Sequence, residues 1–360
     1  MKIGIIGLPN SGKTTVFNAL TRNTAETNAY SSGQIEPNIA MVKVPDERLD
    51  ALAKMYKPKK LTPADVQYID VAGMSGNAHE SGGLNPQFLN YISQVDALLH
   101  VVRAFEDDGV PHAQDTVNAA RDLASVDMEL MFSDMAIIER RLSRLRGEVT
   151  KMVGKDRETR MVELSALERL YTGLEQDVPI RAQELSEEEA KVLRGFQFLS
   201  GKPMLVVVNI DEKQLATPPV LEYDKPKTAI VTLAGKVEAE LAQLEDEDAQ
   251  MFMDDLGITE PARDRVIKAS YTMMGLISFL TAGDDEVRAW TIRQGIGAAE
   301  AAGTIHSDLQ RGFIRAEIVA FDDLMKAGDM ATAKKAGTVR LEGKTYVVKD
   351  GDIAHFLFNV

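Results

Sequence analysis

The residues best suited to chemistry stand at the start of the chain, where Gly7 and Gly12 bracket four residues and Lys13 and Thr14 follow at once. With this spacing a backbone loop turns its N–H groups inward around phosphate oxygens, a lysine neutralises the β- and γ-phosphates, and a hydroxyl meets Mg²⁺. Asn10, Ser11, Gly12, Lys13, Thr14 and Thr15 are therefore the expected phosphate-binding residues, with Thr14 also an expected metal ligand. Asp70 and Gly73 form a second set, Asp-x-x-Gly: the carboxylate suits Mg²⁺ held through water, and the glycine amide suits a γ-phosphate sensor. A third set is Asn209-Ile210-Asp211-Glu212. A GTPase of this kind reads guanine with Asn-Lys-x-Asp, whose Asp accepts from the ring N–H and the exocyclic amine. Here Glu212 is one methylene longer and Ile210 replaces the lysine, so the guanine fork is misplaced. Adenine offers an amine and an acceptor nitrogen, which Asn209 and backbone groups can meet. ATP is expected over GTP, with a degenerate guanine site as the alternative. Leu233 and Ala234 stand behind the base. His112, alone in a loop after the acidic run Glu106-Asp107-Asp108, reads by itself as a solvated surface residue.

These residues need particular elements to position them. The apolar Ile3-Gly4-Ile5-Ile6 enters the glycine loop and the amphipathic Val16-Phe17-Asn18-Ala19-Leu20 leaves it, giving strand, loop, helix. Val66 to Val71 and Ala97 to Phe105 predict strands that deliver Asp70 and the His112 loop to a sheet's carboxyl edge, where ligands bind in open α/β sheets. Met204 to Val208 does the same for Asn209, and Thr228 to Leu233 closes the sheet. Residues 22–39 and 73–86, rich in Gly, Ser, Thr and Asn, are the expected switch segments. Asp46 is the expected N-cap of a helix carrying Leu49, Leu52 and Met55.

Met131, Met135, Ile138, Leu142, Leu145 and Val149 recur at steps of four and three, and Leu164, Leu167, Tyr171, Leu174 and Val178 resume the pattern after Gly154. This predicts an antiparallel helical hairpin of coiled-coil type, inserted into the nucleotide-binding domain. Arg140, Arg141, Arg144, Arg146, Lys151, Lys155, Arg157 and Arg160 concentrate positive charge on it. They form either a solvated face or a contact arm for RNA or a partner. Beyond residue 276, Ile314 to Phe321, Thr338 to Leu341, Tyr346 to Val348 and Phe356 to Phe358 predict short strands of a compact α+β domain. The expected domains are thus 1–124 with 185–275, the inserted hairpin 125–184, and 276–360.

A chain of 360 residues with 44% hydrophobic content, 6% aromatics and no cysteine reads as a soluble multidomain protein without disulfides, thiolate metal sites or a cysteine nucleophile. The net charge of −14 excludes broad electrostatic binding of nucleic acid over the whole surface, though not a local basic patch. No apolar run approaches a membrane span and the first residues read as a core strand, so a cytoplasmic protein is expected.

Taken together, Gly7-Leu8-Pro9-Asn10, Ile35-Glu36-Pro37-Asn38, Pro45-Asp46-Glu47-Arg48-Leu49, Asp70-Val71-Ala72-Gly73, Asn209-Ile210-Asp211-Glu212, Glu286-Val287-Arg288-Ala289-Trp290-Thr291, Gly312-Phe313-Ile314-Arg315-Ala316-Glu317 and Asp350-Gly351-Asp352 resemble the YchF, or Obg-like ATPase, family. These are TRAFAC-class P-loop NTPases, and the resemblance covers nearly the whole chain. It implies an α/β Ras-like domain with an inserted coiled coil and a C-terminal TGS domain of β-grasp type. It further implies slow hydrolysis of ATP with Mg²⁺ and association with the ribosome or ribosomal RNA through the hairpin and TGS domain. A monomer is expected. The family's loop histidine falls on His112, which becomes the candidate catalytic residue, with His79 in the second switch as reserve. The chain departs from the family at Gln34, where a threonine is usual, and in Ser11 and Thr14 of the loop. Thr232-Leu233-Ala234 stands where a Ser-Ala pair backs the base, and Asn85-Pro86 replaces Gly-Asn. Met74 holds the place of the water-orienting glutamine of Ras-like enzymes.

Overall fold

The computed structural model describes residues 1–22, 37–71 and 85–359. Strand β1 (Lys2–Ile6) runs into the glycine loop and helix α1 (Lys13–Thr21), followed by β2 (Asn38–Lys43), α2 (Glu47–Tyr56), β3 (Lys60–Thr62) and β4 (Asp65–Asp70). Next come α3 (Pro86–Ser93), β5 (Ala97–Arg103), the long pair α4 (Ala119–Val149) and α5 (Gly154–Glu175), and α6 (Glu187–Leu193). Then follow β6 (Met204–Asn209), β7 (Thr228–Leu233), α7 (Gly235–Leu241), α8 (Asp246–Asp255) and α9 (Ala262–Met273). The rest is β8 (Leu276–Ala282), β9 (Glu286–Arg293), α10 (Ala298–Ile305), α11 (Ser307–Arg311), β10 (Phe313–Ala320), α12 (Phe321–Ala327), α13 (Met330–Lys335), β11 (Arg340–Glu342) and β12 (Asp352–Phe358). Among the described residues no helix is long and apolar enough to cross a membrane.

One sheet has the order β2-β4-β1-β5-β6-β7. The β4–β1, β1–β5, β5–β6 and β6–β7 pairs are all parallel. Every residue of β5 and β6 is buried, which is why they read as continuous apolar runs rather than alternating ones. The order places the carboxyl ends of β1, β4, β5 and β6 along one edge, and the chemistry-bearing residues with them.

The helical hairpin forms where the heptad-like seam predicts it, α4 and α5 being joined by residues 150–153. Met131, Ile138, Leu142, Leu145, Val149, Leu167 and Leu174 are buried between the helices, while Met135, Leu164 and Tyr171 are partly so. Val178 lies beyond the end of α5. A buried polar cluster fixes the hairpin's foot. Arg181, the first cation of the returning chain, has a fully buried side chain. Its guanidinium donates to Asp127 of α4 over 2.6 Å, to the Ser200 carbonyl over 3.3 Å and to the Tyr223 hydroxyl. Asp134, one helical stretch further along, accepts from the N–H groups of Leu199 and Ser200.

The chain divides into two compact units, Met1–Met41 with Gln67–Ser270, and Val42–Val66 with Tyr271–Val360. The expected boundaries assign residues 1–124 entirely to the nucleotide-binding domain; the structure instead gives Val42–Val66 to the C-terminal unit. The physical reason is pairing: β3 runs parallel to β9, with Lys60, Leu61 and Thr62 opposite Glu286, Val287 and Arg288, and α2 packs on β8 and β9. That unit's sheet has the order β11-β10-β12-β8-β9-β3. Its core gathers Phe279, Ile292, Phe313, Ile318 and Phe356 with the small face of α10, Ala298, Ala301 and Ala302. Tyr346 to Val348 does not form the expected strand; Val347 makes an isolated bridge with Gly297. Asp46 caps α2 as expected, accepting from the Arg48 N–H, and the Arg48 guanidinium spans Asp46 and Asp350. Two stretches that carry the family resemblance, Pro45 to Leu49 and Asp350 to Asp352, therefore meet. Gly351 has φ 80°, and a Cβ there would stand 2.7 Å from the Arg48 guanidinium.

Candidate nucleotide-binding site

The loop between β1 and α1 takes its shape from three residues with positive φ. Gly7 has φ 145°, and a Cβ on it would fall 2.3 Å from the Val101 carbonyl oxygen. Gly12 has φ 91°, and its Cβ would fall 2.2 Å from Asn209 Nδ2. Asn10, with φ 62°, is a residue type that tolerates the left-handed region. The loop thus ends on the first turn of α1, whose amides and dipole favour an anion.

Lys13 is buried, and its Nζ donates to the carbonyls of Gly7 (3.0 Å) and Leu8 (2.8 Å). Burial pulls its pKa down from 10.5 to about 8, opposed by the attraction of Asp70. The Thr14 hydroxyl donates to Asp70 Oδ2 over 2.9 Å. An alcohol and a carboxylate oxygen side by side form a donor set that suits a hard divalent cation. Ser11 Oγ is buried with no hydrogen-bond partner among the described residues, which fits a cradle completed by phosphate oxygens. Thr15 follows as the third residue of α1.

Asn209 braces the base end. Its Nδ2 donates to the Ser11 carbonyl over 3.0 Å and its Oδ1 accepts from the Gly235 N–H over 2.9 Å, tying the P-loop to the turn after β7. Among the described residues one amide hydrogen of Asn209 has no partner and can meet a ligand. Asp211 spends its carboxylate capping its own turn, accepting from the Lys213 N–H. Glu212 is exposed and begins that turn. Ile210, Leu233 and Ala234 are buried, Ile210 and Ala234 within the apolar core, so what these three offer a base is backbone rather than side chain.

Asn10 reaches away from the cradle, donating from Nδ2 to the Pro111 carbonyl over 3.0 Å. This sets the His112 loop beside the P-loop. His112 is not a solvated surface residue: its side chain is 4% exposed, with Nε2 2.8 Å from Asp122 Oδ2 and Nδ1 accepting from the Gln114 N–H over 3.0 Å. Both ring nitrogens are occupied in this arrangement. Gly73 and His79, and likewise Gln34 and Met74, lie outside the described residues.

Sequence reasoning missed Arg103. This buried last residue of β5 lies opposite Asn209, donates from Nε to the Phe105 carbonyl over 3.0 Å and stacks its guanidinium 4.4 Å from the Phe105 ring. Its position at a strand's carboxyl end was the available signal. It missed Asp122 as well, which looks like any acid in a helix's first turn.

Residues 2–138 match the family model described as 50S ribosome-binding GTPase. Residues 276–359 match YchF-GTPase_C, described as a protein of unknown function (DUF933). The chain is 44% identical to a Bacillus subtilis protein named Ribosome-binding ATPase YchF, over 99% of each. It is 36% identical to the Obg-like ATPase 1 of Caenorhabditis elegans, covering 100% of this chain and 92% of that one. Among solved structures it is similar to the Schizosaccharomyces pombe YchF GTPase, with a TM-score of 0.86 at 33% identity, covering 99% of this chain and 97% of that one.

Proposed function

We propose, from the premise that this chain belongs to the YchF family, that it binds ATP in preference to GTP, hydrolyses it slowly, and works as a monomeric nucleotide-gated switch on cytoplasmic ribosomes. The observation that carries the choice of base is the arrangement after β6. Asp211 is committed to its turn and Ile210 to the core, so no aspartate stands ready to take the two guanine donors. Glu212 is the only carboxylate of the stretch left for that task, and its extra methylene displaces it. Asn209, held by Ser11 and Gly235, keeps one N–H that an adenine nitrogen can accept.

At the other end of the site, Thr14 and Asp70 would hold Mg²⁺ together with phosphate oxygens and water. A divalent ion held by Thr14 and Asp70 would supply positive charge that offsets the negative charge of the triphosphate. Slowness follows from Met74, whose thioether cannot orient water. His112, seated beside the P-loop, is the side chain that supplies this function, and the occupation of both its nitrogens adds a barrier. The ribosome is named in the relatives' own descriptions, and the cationic hairpin together with a TGS-like C-terminal unit provides the surfaces for it.

Parallel calorimetric titration with non-hydrolysable ATP and GTP analogues in Mg²⁺ tests the reading. We expect the ATP analogue to bind at least about tenfold tighter, roughly 1.4 kcal/mol. Tighter binding of the GTP analogue by that margin overturns it, and comparable affinities make the protein a dual-specificity switch.

A further inference from the structure

Two contacts outside the phosphate cradle converge on one side chain. Asn10, within the P-loop, holds the Pro111 carbonyl immediately before His112. The His112 ring sits between Asp122 Oδ2 and the Gln114 N–H. A ring nitrogen that accepts from an amide carries no proton, so in the neutral ring the proton lies on Nε2 and is donated to Asp122. Asp122 is itself 2% exposed and is fixed from the other side, its Oδ1 accepting from Arg121 Nε and a terminal guanidinium nitrogen at 3.0 and 2.9 Å.

We infer that Asn10 and Asp122 are positioning residues for hydrolysis, acting through His112. The inference rests on the catalytic reading of His112 given above. Asp122 selects the tautomer in which Nδ1 is the basic nitrogen and stabilises the imidazolium once formed. Asn10 registers the loop on the P-loop, so that phosphates settling into the cradle and the histidine share one support. In the reactive arrangement Nδ1 exchanges the Gln114 N–H for the attacking water. As the water oxygen bonds to the γ-phosphorus, the bond from that phosphorus to the bridging oxygen breaks. ADP leaves with that electron pair, the water's proton rests on Nδ1, and it then passes to phosphate or solvent.

The test combines single-turnover ATP hydrolysis with analogue affinity for Asn10→Gly, Asp122→Asn, His112→Ala and the two double variants. Glycine is the substitution of choice because φ 62° at Asn10 strains other side chains. Asparagine at 122 keeps the shape but presents an N–H to Nε2, favouring the wrong tautomer. We expect each single variant to lower the single-turnover rate by about tenfold or more, with affinity changed by less than about threefold. Neither Asn10→Gly nor Asp122→Asn should lower the rate further once His112→Ala is present. Hydrogen exchange at Gln114 in the nucleotide-free protein reads the tether independently and should quicken in Asn10→Gly. If His112→Ala is impaired while Asn10→Gly and Asp122→Asn turn over normally, or if they slow the His112→Ala protein by the same factor as the wild type, the positioning role is overturned. If His112→Ala turns over normally, the catalytic reading of His112 fails and the inference fails with it.

Discussion

Lys13 carries a pH dependence that can be worked out in both sign and window. Its pKa in the nucleotide-free protein is about 8, against 10.5 for a solvated lysine, because burial penalises the charge. Phosphates in the cradle favour the ammonium, so binding takes up a proton once pH exceeds about 8. Triphosphate affinity is therefore expected to be flat below that pH and to fall by up to about tenfold per pH unit above it. Calorimetry in buffers of different ionisation enthalpy reads the proton uptake directly. Stability of the nucleotide-free protein runs the other way. At Lys13 the unfolded chain holds more protons than the folded one between about 8 and 10.5, so this residue makes unfolding free energy rise with pH across that window, and Lys13→Met removes its share of the rise. At this scale the glycine loop was legible because its spacing fixes local backbone conformation. Asn209 was legible as a site residue, although its two described bonds are braces. His112 looked solvated because its burial by Asp122 and Gln114 depends on a loop fold that no spacing encodes.

The hairpin separates charges that look alike in sequence. Arg141 is bound to Glu163 and Glu148, Arg146 to Glu168, and Arg160 to Glu163. Arg140 and Arg144 are exposed and, among the described residues, form no ion pair. The cationic arm is therefore smaller than the arginine count suggests, since part of that count ties the two helices together. Arg140→Glu with Arg144→Glu is expected to weaken co-sedimentation with ribosomes and flatten its salt dependence, while leaving the unfolding midpoint in place. Arg141→Glu sets an anion against Glu163, whose side chain is 4% exposed. It should destabilise the hairpin by roughly 2–3 kcal/mol in urea titration, somewhat less than breaking a fully buried pair costs because Arg141 is itself partly exposed. Unchanged co-sedimentation in the first variant would leave the exposed arginines as a solvated face. The periodic seam made this element legible in the sequence; the foot did not show itself. Arg181 reads as an ordinary surface cation, and only tertiary packing encloses it with Asp127 and Tyr223.

Across the whole molecule, the C-terminal unit borrows an early helix and strand. Leu52 on α2 is fully buried. Leu52→Ala is expected to cost about 2–5 kcal/mol and, in hydrogen exchange, to loosen β8 and β9 while leaving β5 and β6 protected. Loss of protection confined to β5 and β6 would place α2 with the wrong core. The C-terminal strands were partly legible from their turns, but membership of Val42–Val66 was not, because β-pairing between segments this far apart leaves no local periodicity. That pairing also sets a clock for a chain made from one end. Thr62 and its hydrogen-bond partner Glu286 are separated by 224 positions, and Arg48 and Asp350 by 302. At roughly 5–20 residues per second, translation delivers Glu286 about 11–45 s after Thr62 and Asp350 about 15–60 s after Arg48. Throughout that interval Leu49, Leu52 and an unpaired β3 emerge with nothing to cover them, and a nascent chain stalled or cut before β9 keeps that apolar segment exposed for as long as it lasts.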